Sequence, residues 1–432
     1  MKKLTLVATA IMGLLSTSAA MAQSTVTLYG IVDAGYNQVS GLRQGTVSTI
    51  ASGIMEGSRF GMRGTEDIGG GYKAIFTLEN RFEADTGALG NRTNSGAQLP
   101  DRMVNANLLV PTFSAAQQAG LQTNFFTPIA ASIGAGLGVN TANNLFDRQA
   151  FVGLITPVGA ITLGRQYTPG YLVGATFDAS QTQSSLAAGQ VASFPPAFDI
   201  RLSNTIQYAI QTSGVTASLM YGAGEAATTT VGNSASRFLG GMVMYKASGW
   251  SVGFGHNTKN NSSGQKSLTN NVLGATVDVG PGTIYGQYAT IRDENPDALA
   301  LIAPSLATPA ATAGLTALGT NAATILAAYS NALQQNAALM HVGYRMTTGP
   351  HTIVVAYNRL NDKRSNNADT SSYGATYTYA LSKRTNLNAV LTRFNNKGTG
   401  QAAPGGNGFL GGVTSSAGVD STNIAFGIRH TF

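Results

Sequence analysis

Five arginines carry the strongest chemical suggestion in the chain. Arg59 and Arg63 share one parity in SRFGMRG, while Phe60 and Met62 take the other. Arg81 lies on the polar side of the next alternating run, Arg148 opens a later one and Arg201 leads into another. Side chains alternate faces along a strand, so paired runs would bring these arginines onto one wall as a basic ladder. Such a wall facing water concentrates anions and repels cations. The same residues could also be solvated at a rim, or paired with Glu66, Asp67, Glu79 and Glu83. The connector 168–201 contains only two acids, Asp178 and Asp199, beside Tyr171, Phe177, Phe194 and Phe198. It is the candidate constriction loop, with few carboxylates set against several arginines.

Covalent and metal chemistry find little support. Catalysis needs a placed nucleophile, base and orienter. The four histidines, His256, His341, His351 and His430, form no cluster. Ser263 and Lys266 have S-x-x-K spacing but sit in an Asn/Ser-rich loop without a supporting motif. There is no cysteine and no histidine pair at ligand spacing, so neither metal nor cofactor is expected. Gly134, Gly136 and Gly138 lack the strand and helix that a nucleotide loop requires. The basic balance is modest and unclustered, which argues against nucleic acid.

The elements that must position the arginines are strands. Alternating runs recur from Thr25 to Phe432, about sixteen of them, beginning with 25–37, 58–67 and 72–84. In Val26–Tyr36 the even positions are Val26, Leu28, Gly30, Val32, Ala34 and Tyr36. In Tyr72–Phe82 the even side is mostly apolar and the odd side holds Lys73, Thr77, Glu79 and Arg81. The last run sets Ile424, Phe426, Ile428, His430 and Phe432 against Asn423, Ala425, Gly427, Arg429 and Thr431. A strand with an apolar face and an unpaired edge invites aggregation unless something covers it. Pairing the last strand with the first removes the edge.

Connectors alternate in length. Short ones such as Gly69–Gly71, Thr212–Gly214 and Gly280–Gly282 carry the Gly or Pro of tight turns. Long ones, 38–57, 85–147, 168–201, 223–236, 258–269, 293–335, 361–370 and 396–421, fall between them. Ala313–Leu339 could form a helix. The two longest connectors, 85–147 and 293–335, suit a cap over a barrel or a segment gripping a neighbouring subunit.

The N-terminus has Lys2 and Lys3, an apolar stretch to Leu15, and Ala20-Met21-Ala22, the pattern of a cleaved secretory signal over residues 1–22. Removing it leaves 24 basic and 19 acidic residues, a formal +5. Charged residues are only 10% of the chain, Gly is abundant at 53 residues, and no later apolar run reaches the length of a membrane helix. An exported, weakly charged, strand-patterned chain without a spanning helix is expected to be all-β. The expectation is a transmembrane antiparallel β-barrel of about sixteen strands, forming one domain over 23–432. It has short periplasmic turns and long extracellular loops, and it lies in the bacterial outer membrane. A barrel this wide leaves an aqueous interior.

The stretches QSTVTLYGIVDAGY, SRFGMRGTEDIGGGYKAIFTLENRF, DRQAFVGL, GAITLGRQY, TYALSKRTNL and FGIRHTF cover about half of the exported chain. Together they resemble the Gram-negative general porin family, in particular its anion-favouring, betaproteobacterial-type branch. The resemblance implies a sixteen-stranded barrel, a homotrimer and a third loop folded into the pore. It implies basic residues at Arg59, Arg148 and Arg201 on the wall facing that loop, with Asp178 and Asp199 as the acids opposite. It implies a passive diffusion channel for small hydrophilic solutes and ions, weakly to moderately anion-selective. Phe426, Ile428 and Phe432 resemble the C-terminal signal read by the barrel-assembly machinery, although the penultimate residue, often basic in this branch, is Thr431. Outer-membrane lipid and lipopolysaccharide are the expected surroundings. A substrate-specific channel for a small organic anion or sugar is the nearest alternative; a barrel-anchored surface adhesin is another.

Overall fold

The computed structural model describes residues 25–89, 99–135, 144–182, 200–224, 232–365, 367–404 and 413–432. The expected signal segment 1–22 and Asp199 lie outside these. The described strands are β1 Thr25–Leu42, β2 Gly45–Ser52, β3 Arg59–Gly69, β4 Tyr72–Arg81, β5 Gln149–Thr156 and β6 Gly159–Tyr167. Next come β7 Arg201–Thr212, β8 Val215–Gly222, β9 Phe238–Lys246, β10 Trp250–Asn260, β11 Lys266–Val279 and β12 Gly282–Asp293. The set ends with β13 Gln335–Thr348, β14 His351–Asp362, β15 Thr370–Ala380, β16 Thr385–Asn396 and β17 Ser421–Thr431.

All seventeen strands join one sheet, and β1 pairs antiparallel with β17 to close it. β1 pairs with β2 along its second half and with β3 along its first. β2 and β3 are therefore two halves of one barrel strand, interrupted at residues 53–58, and the ring has sixteen strands. At the seam, the Phe432 amide donates to the Gly30 carbonyl at 3.1 Å and the Gly30 amide donates back at 3.2 Å. The Phe432 ring lies over Gly30, where a Cβ would fall 2.3 Å from it. No larger residue fits there without moving the ring.

The alternation is the one the sequence sets out. On β1, Val26 and Leu28 are 70% and 62% exposed while Asp33 and Asn37 are buried inside. On β17, Ile424, Phe426 and Ile428 face out and Asn423 and Ala425 face in. In hydrocarbon these outward side chains meet lipid, and tyrosines such as Tyr72, Tyr208 and Tyr377 add the aromatic content of an interfacial girdle.

Two expected loops are mostly strand. β1 runs on to Leu42 and turns directly into β2, so 38–57 is a hairpin followed by a break. Likewise 258–269 shrinks to a five-residue turn between Asn260 and Lys266. Above the hydrocarbon both strand faces meet water, so alternation fades although backbone pairing continues. The helix expected over Ala313–Leu339 is instead two, Pro309–Ala317 and Ala322–Leu333. Each starts on a side-chain N-cap, Thr308 and Asn321. From Gln335 the chain is already β13.

The two longest connectors fold against each other. Helices within 101–135 and 298–333 share a core that includes Leu121, Phe126, Ile302, Leu315, Ile325 and Tyr329. Phe126 and Tyr329 meet edge to face with ring centroids 5.6 Å apart. One connector leaves between the third and fourth strands of the ring, the other between the eleventh and twelfth. These points are half a circumference apart, so the shared core bridges the barrel rim. Arg43 pairs with Asp101 at 2.5 Å, and Arg364 donates to the Ala332 and Gln334 carbonyls at 3.1 and 2.6 Å, tying the bridge to other rim loops.

Placing a charge on the outer face tests this orientation. Ile428→Arg is expected to cost about 2–4 kcal/mol near mid-membrane, read as a lowered urea midpoint of the refolded protein. An unchanged midpoint would mean that Ile428 faces inward.

Candidate functional site

The loop between β6 and β7 turns into the barrel. Its helix, Pro169–Thr176, is started by Thr168, whose side chain accepts from the Tyr171 amide, with Pro at the first turn. The helix packs against the inner faces of β9, β10 and β11. Tyr171, Leu172, Val173 and Phe177 join Met242, Met244 and Val272 in one apolar cluster. Gly274 makes room for it: a Cβ there would stand 2.4 Å from the Phe177 ring. An inward glycine on a strand otherwise reads as weak β-sequence; here it is the seat of the loop.

On the wall of β3 to β7 the structure gathers Arg59, Arg81, Arg148 and Arg201. Arg148 Nε donates to Glu79 Oε1 at 2.6 Å. Glu79 also lies within electrostatic range of Arg59 and Arg201, and Arg81 within range of Arg148 and Arg201. Arg81 pairs with Glu83 at 3.2 Å and Arg59 with Glu56 at 3.2 Å. Both readings of these arginines are thus partly realised: they form one basic cluster, and several are ion-paired. Of the four acids weighed as partners, Glu79 and Glu83 take part in these described pairs.

Tyr167 is the hub that spacing alone does not reveal. Its hydroxyl accepts from Arg148 at 2.9 Å and from Arg201 at 2.8 Å. The Arg201 guanidinium lies 4.4 Å from the centre of the same ring. The ring stacks on Tyr171 of the inserted helix, 5.4 Å between centroids and 10° between planes. Loop and wall are joined through this aromatic pair. Arg165, on the outward parity of Ile161 and Leu163, donates to the Asp147 carbonyl at 2.6 Å and to Ser203 at 3.1 Å.

Two expected residues sit elsewhere. Arg63 shares the inward parity of Arg59 but lies further toward the β3–β4 turn, exposed, 5.3 Å from the Tyr29 ring centre. Asp178 does not face the arginine cluster. It lies just beyond the inserted helix and shapes the turn that follows, accepting from the Ser180 amide and hydroxyl, both at 2.8 Å. The next residues pack on β13: the Ala179 amide donates to His341 at 3.1 Å, and Arg345 donates to the Ala179 and Ser180 carbonyls. Burial pushes the Asp178 carboxyl above the usual carboxylate range, opposed by the hydrogen bonds from Ser180 and the charge of Arg345.

A closed barrel with an apolar outer face, an arginine-lined interior and a loop folded inside is the architecture of a membrane channel. A family model described as Gram-negative porin matches residues 7–399, and the chain belongs to that family of passive outer-membrane channels. An outer membrane porin protein of Bordetella pertussis is 28% identical over 253 residues, spanning 46% of this chain and 65% of that protein. Outer membrane porin protein 32 of Delftia acidovorans is 26% identical over 459 aligned positions covering both chains in full. Among solved structures, an anion-selective porin from Comamonas acidovorans matches with a TM-score of 0.66 at 22% identity, over 95% of this chain and all of that one. The trimer form of OmpT from Vibrio cholerae matches at 0.55 and 12% identity, over 95% and 99%. The structural likenesses show the shared fold.

Two outcomes follow from the geometry. Tyr167→Phe removes the oxygen that accepts from two guanidinium groups, and should lower stability by about 1.5–3 kcal/mol in urea titration. Asp178 takes up its proton at higher pH than an ordinary carboxylate, and protonation removes a negative charge. The chloride-to-potassium permeability ratio should therefore rise as pH falls through its titration, and Asp178→Asn should remove that component from the pH profile of the reversal potential.

Proposed function

We propose that the channel is a homotrimeric diffusion pore for small hydrophilic solutes that prefers anions. The arginine cluster opposite the inserted loop is the observation that carries this reading. Charge fixed in a narrow, low-dielectric passage acts on ions far more strongly than the same charge on an open surface. Arg59, Arg81, Arg148 and Arg201 are the proposed constriction residues, with Arg63 nearer the periplasmic end. Asp178 acts through the field of the loop, and Asp199 is the second proposed loop acid. The solved Comamonas porin is described as anion-selective and the Vibrio OmpT as forming a trimer; both properties are extended to this chain as proposals. Residues 1–22 are proposed to be removed on export. Phe426, Ile428 and Phe432 are proposed as the signal for the barrel-assembly machinery, and lipid and lipopolysaccharide as the barrel's surroundings.

A second reading has one observation behind it. The half-buried Arg201, its guanidinium held over the Tyr167 ring, presents a planar fork that suits the carboxylate of an organic anion. Liposome swelling with graded solutes separates the two readings. A general pore gives rates that fall smoothly with size, whereas a selective one gives a single fast outlier.

The direct test of charge selectivity is the reversal potential across a planar bilayer with a KCl gradient. The expected sign is that of chloride permeating faster than potassium, with three equal closing steps per insertion for a trimer. A potential of the opposite sign would overturn the proposed preference.

A further inference from the structure

Six residues, 53–58, interrupt the second strand of the ring, and one carboxylate holds them. Asp33 projects inward from β1 and is fully buried. Its Oδ1 accepts from the Ile54 amide at 3.0 Å, and its Oδ2 accepts from the Met55 and Glu56 amides at 2.9 and 2.8 Å. Its own peptide groups join in. The Gly53 amide and the Ser58 hydroxyl donate to the Asp33 carbonyl at 2.8 and 3.0 Å, and the Asp33 amide donates to Ser58 Oγ at 3.0 Å. An ionised carboxylate makes its three amide bonds stronger than a neutral acceptor would.

A continuous strand would satisfy the same amides by ladder pairing, with no buried acid. The break instead turns Glu56 against the inner-wall arginines. Its Oε2 stands 3.2 Å from Arg59 and 3.3 Å from Arg429. Arg429 lies directly opposite Asp33 across the β1–β17 seam. Glu56 is nearly inaccessible, and both arginines face the interior.

We propose that Glu56 sets the strength of the channel's ion selectivity, and that Asp33 is the positioning residue that holds it there. Glu56 offsets the charge of Arg59 and Arg429, so the wall is less positive than its arginines alone would make it. This rests on the anion-preferring reading above, but its sign does not: removing the Glu56 charge moves selectivity toward anions whatever the starting value.

The test uses the full-length channel in planar bilayers, with folding checked by heat-modifiable gel migration. Glu56→Gln should raise the chloride-to-potassium permeability ratio by about twofold, and Arg429→Gln should lower it. The chain has no native cysteine, so Glu56→Cys can be modified cleanly. An anionic methanethiosulfonate should return selectivity toward the wild-type value. Adding Asp33→Asn should speed that modification at least about tenfold, because the amide has one accepting oxygen and cannot serve Ile54 as well as Met55 and Glu56. A folded Glu56→Gln channel with an unchanged reversal potential would overturn the role of Glu56. An unchanged modification rate would overturn the role of Asp33. If the Asp33 variant does not fold, Ser58→Ala takes its place, since it removes two bonds of the same clamp. A cation-selective wild type would sink the function proposed above while leaving the Glu56 shift still to be met.

Discussion

Hydrocarbon offers no partner for a peptide group, so a strand in a bilayer is stable only if both its edges are paired. In this chain that requirement falls on the meeting of β1 with β17, elements from opposite ends of the described sequence. The last paired residues, Gly30 and Phe432, exchange both backbone bonds, and the absent side chain of Gly30 leaves space for the phenylalanine ring. The seam is also where part of the charged interior is assembled. Arg429 comes from the last strand, Asp33 from the first, and Glu56 and Arg59 from the second. Closing the ring and bringing these groups together is one structural event.

The interior is shaped by a second element, the helix 169–176. Its apolar side covers the inner wall of β9 to β11, while its Tyr171 reaches the hub at Tyr167. Two guanidinium groups share one phenolic oxygen there. Bonds to charged donors and a stacked ring fix the arginines in place. A passage lined by flexible cations would present a diffuse field; this one holds its charges against a rigid wall.

Much of this architecture was legible in the sequence because oil and water impose a period of two. The outward set of Val26, Leu28, Phe426 and Ile428 follows from that alternation. So does the inward set containing Arg59, Arg81 and Glu79. Where both strand faces meet water the signal vanishes, and β2 and the ends of β10 and β11 have the sequence character of loops. The helical bridge between 101–135 and 298–333 was not legible either, because its core is built from two segments that are weakly patterned and meet only in the fold. Within the site, arginines stand out by type, whereas Tyr167, Glu56 and Asp33 matter through partners. Asp33 carried a usable signal: an acid on the inward parity of GIVDAGY has to find donors. Arg429 carried the same signal in FGIRHTF.

The central claim is that alternate side chains face lipid and lumen around a sealed ring. With no native cysteine to confuse the signal, single nitroxide labels can be placed from Thr352 to Tyr357 on β14. Their collision rates with oxygen, which partitions into lipid, and with a water-soluble nickel chelate report the two environments. Oxygen accessibility should peak at Ile353, Val355 and Tyr357 and dip at Val354 and Ala356. Peaks at Val354 and Ala356, or a profile with no alternation, would contradict the structure described.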